Sequence, residues 1–215
     1  MGSAKQNASA RRARAEEMRR AEAARERRNR IIAVVAGVVV LAGMVGGGWA
    51  IIASASKDDN SASSKPPKAR VQGEKTYGGL TFKHVSHSVK YPQSPPVGGD
   101  HDPVWQNCNG DVYDKPLRNE NAVHALEHGS VWVTYNSKAG KADIKTLADM
   151  VKQKPYSLMS PFPSQSGVIT LSAWGHQLTV DSAKDPRVNQ FFKWYVNGEQ
   201  TREKGAACTG GKPTP

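Results

Sequence analysis

Two imidazoles four residues apart with a carboxylate between them, His124-Ala125-Leu126-Glu127-His128, are the side chains of this 215-residue chain best placed to do chemistry. On a helix an i, i+4 pair shares one face, so both rings can reach a single metal ion. Asn119 or Asn121 can cap the start of such a helix, and Gly129 can end it. A third imidazole, His101, follows the glycines of Pro95-Pro96-Val97-Gly98-Gly99-Asp100. Proline stiffens that loop and glycine permits close backbone approach, so together they can bring His101 against the helix. The expected ligand set is His101, His124 and His128, with Glu127, His87 or water in a fourth position. Three nitrogens with one open position suit zinc or copper(II). His84 and His176 have no such companions and are expected to be ordinary surface or half-buried residues.

The same residues fit two other readings. The imidazoles can act as hydrogen-bond donors to loop carbonyls and to Asp100 and Asp102, a structural cluster within a protein-interaction module. The spacing His-x-x-Glu-His also matches the inverted zinc-peptidase pattern, in which Glu127 would be the general base, and this makes Glu127 the sole catalytic candidate. Such an enzyme needs a further acidic ligand downstream, for which Asp143 and Asp149 are available, so a small metal-dependent hydrolase ranks last of the three. No Gly-x-Ser-x-Gly, P-loop or dinucleotide fingerprint occurs, and the balance leans away from an enzyme.

The elements that must position these side chains form one α+β domain, a small sheet covered by helices, over residues 73–208. Short β-like stretches run from Tyr77 to Tyr91, followed by a turn-rich loop from Pro92 to Asp114. The His-bearing helix leads directly into the strand Val131–Tyr135. Ile144, Leu147, Ala148 and Val151 recur at helical spacing over 141–154, and Pro155 stops that helix. Ser157–Ser160, Val168–Ser172 and Gln177–Val180 are strand candidates, the last two joined by a turn at Gly175. Asp185-Pro186 opens a final helix carrying Val188, Phe191, Phe192 and Tyr195. Trp132, Trp174, Trp194, Phe191 and Phe192 are expected in the core.

Ahead of the domain lie three segments of different composition. Residues 1–30 hold ten Lys or Arg against four Glu, a net of +6 out of the chain's +11. An uncharged apolar run over 31–53 is long enough to span the ~30 Å core of a bilayer as a helix. A cleaved signal peptide is the alternative, since Ala53-Ser54-Ala55 resembles a cleavage site, but the run exceeds the ~7–15 residues of a signal core. The positive arm stays cytoplasmic by the positive-inside rule, which places the domain outside the plasma membrane. With the charge so concentrated, the chain is expected to bind membrane, and an envelope protein partner, but no nucleic acid. Residues 54–72 form a polar, proline-stiffened linker and 209–215 a mobile tail.

The two cysteines, Cys108 and Cys208, both fall in the exported part, where an oxidising compartment favours a disulfide between them; Cys108 as a metal thiolate is the sharper alternative. The blocks PPVGGDHDPVWQNC and NAVHALEHGSVWVTY, with the later SAWG, resemble the bacterial domain of unknown function 3105 family over about residues 73–208. The resemblance implies a domain carried behind an N-terminal membrane segment. It implies no activity.

Overall fold

The computed structural model describes residues 67–215, so the basic arm of 1–30, the apolar run of 31–53 and most of the linker lie outside the described residues. Among the described residues, no helix is long and apolar enough to cross a membrane. The described residues form an α+β fold with one six-stranded mixed sheet and three helices. In chain order the elements are β1 (Lys75–Thr76), β2 (Asn109–Val112), α1 (Asn119–Glu127), β3 (Val131–Tyr135), α2 (Lys141–Lys152), β4 (Ser157–Pro161), β5 (Ile169–Ala173), β6 (His176–Val180) and α3 (Pro186–Tyr195).

The sheet order is β1-β6-β5-β3-β4-β2. The pairs β1–β6, β6–β5 and β5–β3 are antiparallel, whereas β3–β4 and β4–β2 are parallel. Trp174-Gly175 closes the β5–β6 hairpin, with Ala173 opposite His176 and Gly175 at φ 73°. Both faces of the sheet are buried, as parallel pairing requires. Val131, Val133, Met159, Leu171 and Leu178 point into a core shared with Leu147 and Val151 of α2 and Val188, Phe191, Phe192 and Tyr195 of α3. Trp132, Leu158 and Trp174 point the other way, against Ala122, Val123, Ala125 and Leu126 of α1. The period-2 alternation of a strand therefore assigns α1 to the face opposite α2 and α3.

The helix ends follow local chemistry. Asp185 caps α3 by accepting from the Arg187 amide, and Pro186 sits at the first turn, where its missing N–H costs nothing. The start of α1 departs from expectation. Neither Asn119 nor Asn121 caps it; Arg118 occupies the cap without a side-chain bond, and Asn121 turns its amide to the Val104 carbonyl at 2.6 Å.

Four further expectations are corrected. The stretch Tyr77–Tyr91 contributes no strand, only the bridge of His84 to His101, while the loop after Cys108 supplies β2. Trp194 is 44% exposed, because it falls on the outer face of α3. The folded unit reaches back past Gly73, with Val71 buried in the core. The tail is also tied down: Gln106 Nε2 donates to the carbonyls of Lys212 and Thr214, and the Lys212 amide donates to Trp105 O.

Candidate metal centre

Eight of the nine residues of α1, Glu120 to Glu127, are buried, so this helix is enclosed between the sheet and the long loop. Its apolar side chains face the sheet, and its imidazoles and carboxylate face the loop. Gly129 ends it at φ 97°, and a Cβ there would come within 2.7 Å of Thr201 and 2.8 Å of Asn197. Only glycine fits both the backbone and the space.

The loop is clamped to α1 by charge and hydrogen bonds. Arg118 donates to Asp102 at 2.6 Å and Glu120 at 3.1 Å, and the Val89 amide donates to Glu120 at 2.7 Å. Gly98 and Gly99, both with positive φ, let the backbone pass Leu80, Trp174 and Tyr91; a Cβ on Gly98 would lie 2.8 Å from Leu80 Cδ1. The expected convergence follows in part: His124 meets both partners, but His101 and His128 share no group of ligand atoms. The His101 and His124 ring centroids are 4.7 Å apart, and those of His124 and His128 are 4.6 Å apart.

Each of these three rings is fixed the same way. Nδ1 of His101 donates to Gly99 O at 2.8 Å, Nδ1 of His124 to Asp102 O at 2.7 Å, and Nδ1 of His128 to Ala207 O at 2.8 Å. A carbonyl only accepts, so each Nδ1 carries the proton and each neutral ring keeps its lone pair on Nε2. Burial pushes the His124 imidazole down to about 4; the bond to Asp102 opposes this, and the neighbouring His101, His128 and His84 reinforce it. Burial pushes the Glu127 carboxyl up, but its close contact with His101, together with His124 and Arg202, more than reverses this and lowers it overall.

Glu127 Oε2 lies 2.8 Å from His101 Nε2, yet that nitrogen is buried without a hydrogen bond of acceptable geometry.

Two overlapping groups result. His84, His101, His124 and Glu127 form one, and His124, His128 and Glu203 the other, with ligand atoms in each group within 4.8 Å of one another. Since His124 has a single nitrogen to offer, the two groups could hold one ion between them as alternatives, not one ion each. Tetrahedral zinc with bonds of about 2.1 Å needs ligand atoms about 3.4 Å apart, so the widest edge of a seat must contract by at most about 1.4 Å and the 2.8 Å His101–Glu127 edge must open by about 0.6 Å.

His84 was missed in the sequence. Its exposed ring stands 4.9 Å from His101 and 4.8 Å from His124, brought there by the hydrogen bonds of Val85 N to His101 O and His101 N to Lys83 O. His87, expected as a fourth ligand, is exposed and belongs to neither group; the bridge that places His84 ends before it. Glu203 was also missed, 75 residues beyond His128 in the chain and 3.3 Å from its Nε2. Asp143 and Asp149 are elsewhere: Asp143 binds Ser182 and Ala183, Asp149 pairs with Lys145, and α2 lies on the far face of the sheet. Cys108 and Cys208 are joined in a disulfide, which removes the thiolate alternative.

These features define a class: an α+β domain with a buried His/Glu cluster between one helix and a glycine-bearing loop. The sequence profile of the family described as protein of unknown function (DUF3105) matches residues 84–210, and the chain belongs to that family. No curated protein and no solved structure matches the chain.

Proposed function

We propose that this is a single-pass membrane protein whose extracytoplasmic domain binds one metal ion, zinc or copper(II), through His101, His124 and Glu127. His84 completes that seat from the exposed side, and His128 with Glu203 provides the alternative. The observation that carries the reading is the common pinning of three Nδ1 atoms on backbone carbonyls, which leaves Nε2 lone pairs for the cluster. Metal-ligating histidines are oriented in this way. The nitrogen-rich donor set with one carboxylate suits zinc or copper(II) over calcium or magnesium. The membrane part is supported by the charge asymmetry around the apolar run. A disulfide among the described residues accords with an oxidising compartment.

One observation favours a second reading, an envelope interaction module with a structural histidine cluster. Arg202 Nε stands 3.3 Å from Glu127 Oε1 and already offsets the buried carboxylate. Metal analysis of the untagged full chain, loaded with zinc or copper(II) and desalted, decides between them. We expect about one ion per chain, lost in His124→Ala because His124 belongs to both seats. Stoichiometry near zero, or loading indifferent to His124→Ala, would leave the structural cluster as the account.

A further inference from the structure

Away from the histidine cluster, a cavity of about 370 Å³ opens between the segment entering the domain and the end of α3. At its floor is a second buried carboxylate–imidazole pair. The Glu74 side chain is fully buried and accepts from four donors: Arg70 N at 2.9 Å, Val71 N at 3.1 Å, Tyr195 Oη at 2.5 Å and His176 Nδ1 at 3.2 Å. With its Nδ1 proton given to Glu74, His176 keeps a lone pair on Nε2. His176 is 2% exposed and lines the cavity, and no described residue supplies Nε2 with a hydrogen bond. That lone pair is therefore available to a donor entering the cavity.

The walls add charge and an aromatic surface. Lys68, Arg70 and Lys204 line the cavity against a single acid, Glu199. Arg70 and Glu199 pair at 2.6 Å, so the ammonium groups of Lys68 and Lys204 are the cations without an opposing acid in the lining. Trp194, the exposed aromatic of α3, forms one wall. The volume falls within the ~300–1,000 Å³ of small-molecule pockets.

We propose that this cavity binds a small hydroxylated organic anion of the acidic-sugar type. Its carboxylate meets Lys68 and Lys204, a hydroxyl donates to His176 Nε2, and the apolar face of the ring rests against Trp194. No metal ion enters this proposal, which stands or falls apart from the histidine cluster.

The test is calorimetric titration of the chelator-treated full chain with D-glucuronate, D-glucose and acetate. Glucuronate carries charge, hydroxyls and a ring; glucose lacks the charge, and acetate lacks the hydroxyls and ring. We expect saturable binding of glucuronate alone. Binding should weaken about tenfold or more in a Lys68→Ala, Lys204→Ala double variant, which alters only exposed side chains and leaves the fold intact. His176→Phe, which removes the acceptor, should weaken it likewise. Absence of saturable glucuronate binding, equal binding of acetate, or affinity unchanged in the double lysine variant would overturn the proposal.

Discussion

At the scale of single residues, His84 and His101 occupy one cluster under opposite conditions. His101 is fully buried, and its ring is fixed at both ends, to Gly99 O and beside Glu127. His84 is exposed and is held by the backbone bonds of its neighbours and by its ring contacts with His101 and His124. Metal affinity and fold stability should therefore separate. His84→Ala should weaken zinc binding about tenfold or more while moving the unfolding midpoint by no more than an ordinary surface change, within about 0.5 kcal/mol. His101→Ala should abolish the first seat and also destabilise the metal-free fold by about 1–3 kcal/mol, because it leaves Glu127 buried beside an empty volume. Zinc competition and denaturant melts on the two variants check this. A His84→Ala protein with wild-type affinity would remove His84 from the site.

At the scale of elements, most of the skeleton could be read from the sequence. The helical spacing of Ile144, Leu147 and Val151, and the Asp-Pro start of α3, gave those helices within a residue or two. The apolar runs at Val131, Ser157 and Val168, and the turn at Gly175, gave four strands. What escaped has a common cause. The strand β2 reads Asn-Gly-Asp-Val, turn-like by composition, and exists because β4 and the adjacent disulfide hold it in place. Glu203 and His84 reach the cluster only through pairings distant in sequence, which local spacing does not encode.

The C-terminal strap shows this best. Ala207 O orients His128, Glu203 N donates to Glu127 O, and Cys208 O accepts from Cys108 N beside the disulfide. The bond closes a loop of sequence separation 100, which constrains the unfolded chain by an amount worth about 4–5 kcal/mol in the loop-entropy model. Reduction should lower the melting temperature and slow the protein on a non-reducing gel. It should also weaken zinc binding, because the strap that orients His128 loses its tether. Equal zinc affinity before and after reduction, with the fold intact, would show that the strap has no part in the site.

At the scale of the whole molecule, the buried imidazoles make stability depend on pH. Burial lowers His124 to about 4. Burial also lowers His176, against the opposing hydrogen bond and charge of Glu74 and alongside the positive charge of Arg70. In the unfolded chain both titrate near ~6.5. Between these limits the unfolded state binds more protons than the folded one, so stability rises with pH, by up to about 1.4 kcal/mol per pH unit for each histidine. The contribution is complete above about pH 7 and declines as pH falls through 6.5. For His124 the decline continues to about pH 4, where the folded ring also takes a proton. Glu127, lowered in the fold, adds a loss of the same sign at more acidic pH, as its protonation removes the charge facing His101 and Arg202. Two separate histidine-bearing regions on one chain should thus give a metal-free protein that melts markedly lower at pH 5 than at pH 7.5. Bound zinc should widen that gap, because it holds the neutral form of its ligands and competes with protons for them. Melting curves across this range, with chelator and with zinc, provide the measurement. A chelator-treated protein equally stable at pH 5 and pH 7.5 would mean that His124 and His176 are not held neutral by the fold.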